Sequence, residues 1–122
     1  MDKPVKIPGP DHPITITPFA GRVVVKAGGH VVADSRYALV LQEASYPPVH
    51  YIPRSDANAE LLTPSDHVTY CPYKGDCSYF SIPGDNGTDA VWSYQAPYAA
   101  VIAIKDHLAF YPDRATIELL PD

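Results

Sequence analysis

Proline interrupts this chain so often that long regular elements are excluded. Fourteen of the 122 residues are proline, which is about twice the usual share. Because proline breaks helix interiors and removes a hydrogen bond from central strands, the sequence predicts short elements joined by firm turns. Four prolines within residues 1–13 predict an extended N-terminal arm without regular structure.

The rest of the chain, residues 14–122, predicts one small domain built mainly from strands. The clearest element is a hairpin over residues 22–34, where two valine-rich runs flank Gly28-Gly29, a pair that accepts positive φ at little cost. Turn signals separate further short apolar runs down to residues 115–120. We therefore expect a single barrel- or sandwich-like domain of about ten short strands with one or two short helical turns.

Three segments show less regular patterns. Residues 35–46 fit either a capped helix or a strand with alternating apolar residues, and we favour the strand. Residues 55–62 predict a helix of about two turns with Ser55 or Asp56 as its N-cap. Residues 99–104, with the sequence AAVIAI, predict a strand.

Composition argues against several classes of function. The net charge is −5 and no basic cluster exists, which argues against nucleic-acid binding. No apolar run approaches the roughly 18 residues of a membrane helix, and the N-terminus lacks the apolar region of a secretory signal. Two cysteines are too few for a disulfide framework. We therefore expect a cytoplasmic protein with reduced thiols.

Both cysteines fall in one short stretch, CPYKGDCSY at residues 71–79. Structural zinc usually takes two cysteine pairs, with about two to four residues between the partners of a pair. Here five residues separate Cys71 from Cys77 and no second pair exists, so we predict no metal site. A proline-led turn after Cys71 would hold Lys74 near the thiol, and a nearby cation favours the thiolate. Cys71 is thus either a nucleophile or a small buried apolar residue.

Tyrosine outnumbers phenylalanine nine to three. Tyr79 lies on a predicted strand, and Trp92 and Tyr94 share one face of its partner strand. Together with Tyr51 they would line a cavity that has apolar walls and polar tips, which is typical of a ligand pocket. The alternative is that these aromatic side chains fill a small core.

Glu43 ends an apolar run with few charges nearby. Because an unpaired buried charge is costly, we expect a cationic partner among Arg22, Arg54 and Lys74. A pair of Glu43 with Lys74 or Arg54 inside a pocket would be a candidate site. The alternative is an exposed carboxylate at the end of a strand.

Five phrases occur in the order found in one known family: GGHVVADS, QEASYPPVHYIPRSD, TYCPYKGDCSYFSI, VWSYQAP and LAFYPDR. The chain resembles domain-of-unknown-function family 427, found as small bacterial and fungal proteins. The resemblance covers roughly residues 20–117, and C-P-x-K-G followed by W-S-Y and F-Y is its most specific part. It implies a small, mainly β domain and no particular activity. A nucleotidyltransferase-type label is sometimes attached to the family, but this sequence has no Gly-Ser with paired aspartates to hold metal and triphosphate.

The resemblance also implies a set of characteristic positions. These carry over to Glu43, Tyr51, Arg54, Cys71, Lys74, Gly75, Tyr79, Trp92 and Tyr94. Two residues depart from the pattern: Cys77 stands where a small residue such as alanine is usual, and His50 where tyrosine or another residue is common. The first departure argues against a paired role for the cysteines, and the second against His50 as a general base.

Three hypotheses follow for function. The first is a domain that binds a small anionic or hydroxylated metabolite. Its pocket would use four aromatic walls and three charged anchors: Tyr51, Tyr79, Trp92, Tyr94, Glu43, Arg54 and Lys74. The second is an enzyme in the same pocket, with Cys71 as nucleophile or Glu43 as acid–base and Lys74 as electrostatic stabiliser. The third is a homodimeric interaction module without a small ligand. Common motifs of cofactor and metal enzymes are missing, so no cofactor is expected.

Overall fold

The computed structural model describes residues 3–122; residues 1 and 2 of the expected N-terminal arm lie outside the described residues. Ten strands lie within residues 3–122: β1 (Ile14–Pro18), β2 (Gly21–Ala27), β3 (His30–Ser35), β4 (Leu39–Glu43), β5 (Val49–Pro53), β6 (Thr63–Cys71), β7 (Gly75–Ser81), β8 (Val91–Ser93), β9 (His107–Phe110) and β10 (Thr116–Pro121). Three 3₁₀ segments accompany them in the same range: Arg54–Asp56, Ala59–Leu61 and Ala99–Ile104. Among the residues described, no helix has the length and apolar character needed to cross a bilayer.

The strands form two antiparallel sheets that stack as an open sandwich. The larger sheet has seven strands in the order β1-β4-β5-β9-β8-β7-β6, and the smaller has three in the order β10-β2-β3. Every neighbouring pair is antiparallel. The mainly β, sandwich-like prediction is therefore confirmed, and the sheets do not close into a barrel within residues 3–122.

The central strands of the larger sheet contribute to two separate cores, because alternate residues of a strand face opposite sides. The first core lies between the two sheets, and the second lies on the other face of the larger sheet. On β7, Phe80 belongs to the first core and Tyr79 to the second; on β5, Ile52 and Tyr51 divide in the same way. The candidate site grows from the second core.

Several local predictions are confirmed. The β2–β3 hairpin turns at Gly28 and Gly29, whose φ angles are 56° and 80°. The favoured strand within residues 35–46 is β4, and the turn-rich loop after residue 82 joins β7 to β8. Short-range alternation and turn chemistry were sufficient to place these elements.

The strand predicted over residues 99–104 is wrong. Ala99–Ile104 forms a 3₁₀ segment that covers the second core with Val101 and Ile104, both fully buried, while Ile102 between them is exposed. A spacing of three between buried residues fits a helical turn, whereas a strand would alternate. Packing position overrides the strand preference of the β-branched residues here.

The two-turn helix predicted over residues 55–62 is also wrong. Two single 3₁₀ turns take its place, because the chain between them pairs with β3. Ala57 is extended, with φ −103° and ψ 152°, and the Asn58 N–H donates to a β3 carbonyl at 2.8 Å. The side chain that caps the second turn belongs to Asn58, and not to Ser55 or Asp56.

Candidate functional site

The turn between β6 and β7 carries Cys71 and Lys74. The Lys74 N–H donates to the Cys71 carbonyl at 3.2 Å, and Gly75 completes the reversal at a φ of 107°, a conformation that favours glycine. Lys74 Nζ lies 3.9 Å from Cys71 Sγ, so the turn does hold the ammonium group near the thiol. The Lys74 side chain is only 9% exposed, which means that it points into the protein.

Lys74 reaches Glu43, the last residue of β4. Lys74 Nζ donates to Glu43 Oε1, and the Glu43 side chain is 13% exposed. His12 approaches the other carboxylate oxygen, with Nε2 2.7 Å from Oε2. The expected cationic partner is therefore Lys74, whereas Arg22 pairs with Asp34 at the surface.

Glu43 is held as a carboxylate although it is largely buried. Burial is the largest single effect and raises its pKa, but the hydrogen bonds and charges of Lys74 and His12 together lower it by more, so the pKa lies below the usual value of 4.5. A general acid or base works best with a pKa near the operating pH. The low pKa of Glu43 therefore suits a fixed anchor better than a group that exchanges protons at neutral pH.

The described part of the N-terminal arm, residues 3–13, lies over the same turn. Lys3 Nζ lies 2.7 Å from Asp76 Oδ1, and the Lys6 N–H donates to the Pro72 carbonyl at 2.9 Å. These contacts bring the following arm residues, up to His12, alongside Glu43. The arm thus forms one side of the site.

Four aromatic residues stand beside the ion pair. Trp92 on β8 is the cross-strand partner of Tyr79 on β7. Trp92 Nε1 donates to the Tyr51 hydroxyl at 3.2 Å, and the two rings meet edge-on with centroids 6.4 Å apart. Lys74 Nζ lies 6.0 Å from the Tyr94 ring centroid, within the range of a cation–π contact. The ion pair and the aromatic rings therefore belong to one site.

These side chains leave a cavity of about 230 Å³ between them. Besides the residues named above, its walls include Leu41, Tyr46, Pro47, Val49 and Tyr111. Burial raises the pKa of Tyr51, Tyr79 and Tyr94, so their hydroxyls stay protonated at neutral pH and can both donate and accept. A close-packed core would leave only voids near the size of a water, so this space is larger than a packing void.

The cavity lies where two central strands stop pairing. β5 and β9 share only two residue pairs, and the last is Ile52 with Leu108, although β5 begins three residues earlier at Val49. Just beyond that last pair, the hydrogen bond from Trp92 to Tyr51 links the two halves of the larger sheet. The cavity lies at the gap between these two halves of the larger sheet.

A family model matches most of the chain: the domain of unknown function DUF427 is matched over residues 15–120. The chain belongs to the DUF427 family. This confirms the resemblance carried by the sequence phrases and extends it slightly at both ends. No curated protein matches the chain.

Six of the eight predicted site residues of this DUF427 domain line the cavity. They are Glu43, Tyr51, Lys74, Tyr79, Trp92 and Tyr94. Cys71 does not line it; the residue packs against the second core and touches the site only through Lys74. The sequence therefore predicted four aromatic residues of the lining together with Glu43 and Lys74, while it left the partner of Glu43 open among three cations, and Cys71 does not face the cavity.

Arg54, expected from the sequence as a ligand anchor, is not among the residues that line the cavity. Its guanidinium lies 4.9 Å from the ring centroid of Phe80, a residue of the first core. Arg54 begins the 3₁₀ turn that follows β5, and its side chain packs on the side of the first core, whereas Tyr51 faces the cavity.

Sequence reasoning missed His12 and Tyr111. His12 binds Glu43 and stacks on Tyr73, with 4.1 Å between ring centroids and 7° between planes. Its position depends on a fold-back in the arm, where Gly9 and His12 exchange two backbone hydrogen bonds. The Pro10-Asp11 step between them is a turn signal, and it was the one local hint available for His12.

The cysteines do not assemble a metal site in this DUF427 domain. No group of three or more His, Cys, Asp or Glu side chains within residues 3–122 is placed to hold a metal ion. Cys77 is 1% exposed and belongs to the second core, and burial raises the pKa of its thiol. Cys77 therefore acts as packing.

Proposed function

We propose that this DUF427 domain binds a small, uncharged, hydroxylated metabolite in the aromatic cavity. The observation that carries the proposal is the buried ion pair of Lys74 and Glu43 in the wall of a cavity of about 230 Å³. Ligand sites typically combine apolar walls with a few fixed polar groups. The ion pair supplies the polar groups, and the aromatic rings supply the walls.

The charge balance favours a hydroxylated ligand over an anionic one. Glu43 neutralises the single positive charge that Lys74 brings to the cavity. An anion would meet the Glu43 carboxylate as well, and would lose its hydration without an uncompensated cation in return. A hydroxyl group can instead accept from Lys74 Nζ and donate to a Glu43 oxygen, since an ammonium has three donors and a carboxylate about four acceptor positions.

The aromatic walls suit the carbon skeleton of such a molecule. Tyr51 accepts a hydrogen bond from Trp92, so its own proton is free to be donated to a ligand oxygen. The faces of Trp92 and Tyr94 offer apolar surface next to these polar tips. At about 30 Å³ per water, the cavity has room for roughly seven waters or one compact molecule.

The proposal is tested by following Trp92, the only tryptophan of the chain. A panel of polyols and pentoses is titrated against the fluorescence of Trp92, beside carboxylates of similar size, and binding is checked by ligand-detected NMR. We expect neutral members to bind more tightly than carboxylates. Binding by no member at millimolar concentration, or preference for the carboxylates, contradicts the proposal.

Three variants locate the binding. Lys74→Gln removes the ammonium, and Tyr94→Phe removes one hydroxyl while leaving the ring in place. Both should weaken polyol binding. Lys26→Gln is the control, because Lys26 pairs with Glu118 on the surface of the smaller sheet. Equal binding by all three variants would place the ligand elsewhere.

One contact favours the enzyme as a second candidate: Lys74 Nζ lies 3.9 Å from Cys71 Sγ. A neighbouring ammonium stabilises a thiolate, and Cys71 would then be the nucleophile. The pH dependence of iodoacetamide labelling of Cys71, in wild type and Lys74→Gln, tests this candidate. A rate that rises only near pH 8.5, as for a free thiol, and that is the same in both proteins argues against it.

A further inference from the structure

A second and larger depression, which we call the apolar groove, adjoins the aromatic cavity. Its volume is about 520 Å³. Its walls are almost entirely apolar and include Val49, Trp92, Phe110, Pro112, Ile117 and Leu119. The polar groups of the cavity, Glu43 and Lys74, are not among them.

The apolar groove opens where the smaller sheet ends at its edge strand β10. Ile117 and Leu119 pair with Val25 and Val23 of β2, so they lie on the face of the small sheet that is turned toward the larger one. Val23 and Val25 are fully buried, but Leu119 is 43% exposed. The sandwich is thus open beside Leu119, and inward-facing apolar surface is left uncovered there.

The apolar groove and the aromatic cavity share part of their walls. Tyr46, Pro47, Val49 and Trp92 line both spaces. The shared wall stands where β5 and β9 no longer pair, so no backbone hydrogen bonds between these strands separate the two spaces at that point. The four shared side chains therefore stand between the two spaces, and a molecule seated beside Lys74 meets the apolar groove directly beyond them.

We infer that the ligand is an amphiphile, with its hydroxylated head in the aromatic cavity and a single apolar tail in the apolar groove. The inference rests on the proposed function, because it assigns a tail to the same ligand. A polar space and an apolar space that share Val49 and Trp92 fit one molecule of that chemistry. Burying the tail removes apolar surface from water on both sides, at about 0.8 kcal/mol for each CH₂ group.

The one histidine that lines the apolar groove fits this assignment. His50 lines the groove, and its burial lowers the pKa of the imidazole. His50 meets the edge of the Phe19 ring, with centroids 5.2 Å apart. The imidazole is therefore neutral at physiological pH, and it leaves no buried charge against a hydrocarbon tail.

The experiment uses a homologous series of neutral amphiphiles: glycerol and its butyl, hexyl and octyl monoethers, each below its micelle concentration. Binding is followed by the fluorescence of Trp92 and by calorimetry. Since 0.8 kcal/mol corresponds to about fourfold in Kd, full burial predicts a Kd that falls about 15-fold for each two-carbon extension. Alkanols with the same chains should bind more weakly, because they lack the second hydroxyl of the head.

Two neighbouring leucines provide a matched pair of variants. Leu119 and Leu120 are 43% and 44% exposed, but they face opposite sides of β10, and only Leu119 lines the apolar groove. Leu119→Glu should abolish most of the increase in affinity with chain length, while the affinity for glycerol is unchanged. Leu120→Glu should behave as wild type, and Lys74→Gln should weaken every monoether while keeping the gain per CH₂.

Each part of the assignment can fail separately. A Kd that does not fall with chain length, while Lys74→Gln still weakens head binding, overturns the tail and leaves the proposed function standing. If affinity rises with chain length but Lys74→Gln does not weaken binding, the proposed head site is overturned. If affinity still rises with chain length in the Leu119→Glu variant, the tail binds outside the apolar groove. A dimer in sedimentation that Leu119→Glu dissociates would make the apolar groove a contact between two copies, and would also overturn the inference.

Discussion

Lys74 and Glu43 are 31 residues apart in sequence, and their charged groups meet where both side chains are almost shielded from water. Glu43 ends β4, near one edge of the seven-stranded sheet, and Lys74 follows β6, the strand at the other edge. Three strands, β5, β9 and β8, separate β4 from β7 in the sheet. Because neighbouring strands lie about 4.8 Å apart, the contact between Lys74 and Glu43 requires the larger sheet to curl between β4 and β7.

Removing one partner of this pair should destabilise the domain strongly. We expect Lys74→Met to lower the free energy of unfolding by about 3 kcal/mol, because it leaves the buried Glu43 carboxylate without its ammonium. Urea denaturation measures the change. The double variant Lys74→Met with Glu43→Gln should recover part of the loss, since no uncompensated charge remains.

The matched control is an exposed ion pair. Lys26 and Glu118 are 3.0 Å apart, with side chains 49% and 41% exposed. Lys26→Met should change the free energy of unfolding by less than about 1 kcal/mol. If Lys26→Met and Lys74→Met lower the free energy of unfolding equally, burial of the pair between Lys74 and Glu43 does not increase its effect on stability.

Acid should destabilise the domain through Glu43. The pKa of its carboxyl lies below 4.5 in the folded protein, so the folded state binds fewer protons than the unfolded state in that range, and stability increases with pH there. The stabilisation is complete above about pH 4.5 and is lost as the pH falls through the folded-state pKa. Unfolding free energies measured between pH 3 and pH 6 should fall less steeply in Glu43→Gln than in wild type. Glu60→Gln, at an exposed position, should keep the wild-type slope.

The hydrogen bond from Trp92 to Tyr51 should contribute measurably to stability. Tyr51→Phe removes the acceptor of Trp92 Nε1, and we expect it to lower the free energy of unfolding by about 1 kcal/mol. Trp92→Phe removes the donor and part of the wall. In a double-mutant cycle the two losses should not add, because both remove the same bond. Additive losses would mean that the bond does not hold the two halves of the larger sheet together.

The two thiols should differ in reactivity in the folded protein. Cys77 is 1% exposed and burial raises its pKa, while Cys71 is partly exposed. We expect a thiol reagent to modify one cysteine quickly under native conditions and both in urea. Cys71→Ser should remove the fast reaction and Cys77→Ser should leave it. Fast labelling of Cys77 in the native state would contradict its place in the second core.

Local patterns predicted most strands and one wall of the site. The alternation on β7 put Tyr79 on the face opposite Phe80, and the structure has them in different cores. Pairing between Glu43 and a cation followed from the cost of an unpaired buried charge. Selecting Lys74 from three candidates required the curl of the larger sheet, which no local pattern encodes.

The incorrect predictions concern residues whose conformation depends on contacts with distant parts of the chain. Residues 99–104 have strand composition but cover a core as a 3₁₀ segment, because Val101 and Ile104 must face one side. Arg54 follows β5 closely in sequence, yet it packs on Phe80 after the chain leaves the strand. His12 joins Glu43 across 31 residues, and its role depends on how the arm folds back.

The contacts of the arm also bear on the order in which the domain assembles. Lys3 meets Asp76 across 73 residues, and the Tyr70 hydroxyl donates to the Pro4 carbonyl across 66. Contacts between residues so far apart require large loops to close and form slowly. During synthesis, residues 3–6 leave the ribosome before β6 and β7, so they can reach these partners only after both strands have been made. The contact of His12 with Glu43, beside the cavity, should therefore be among the last parts of the fold to become native.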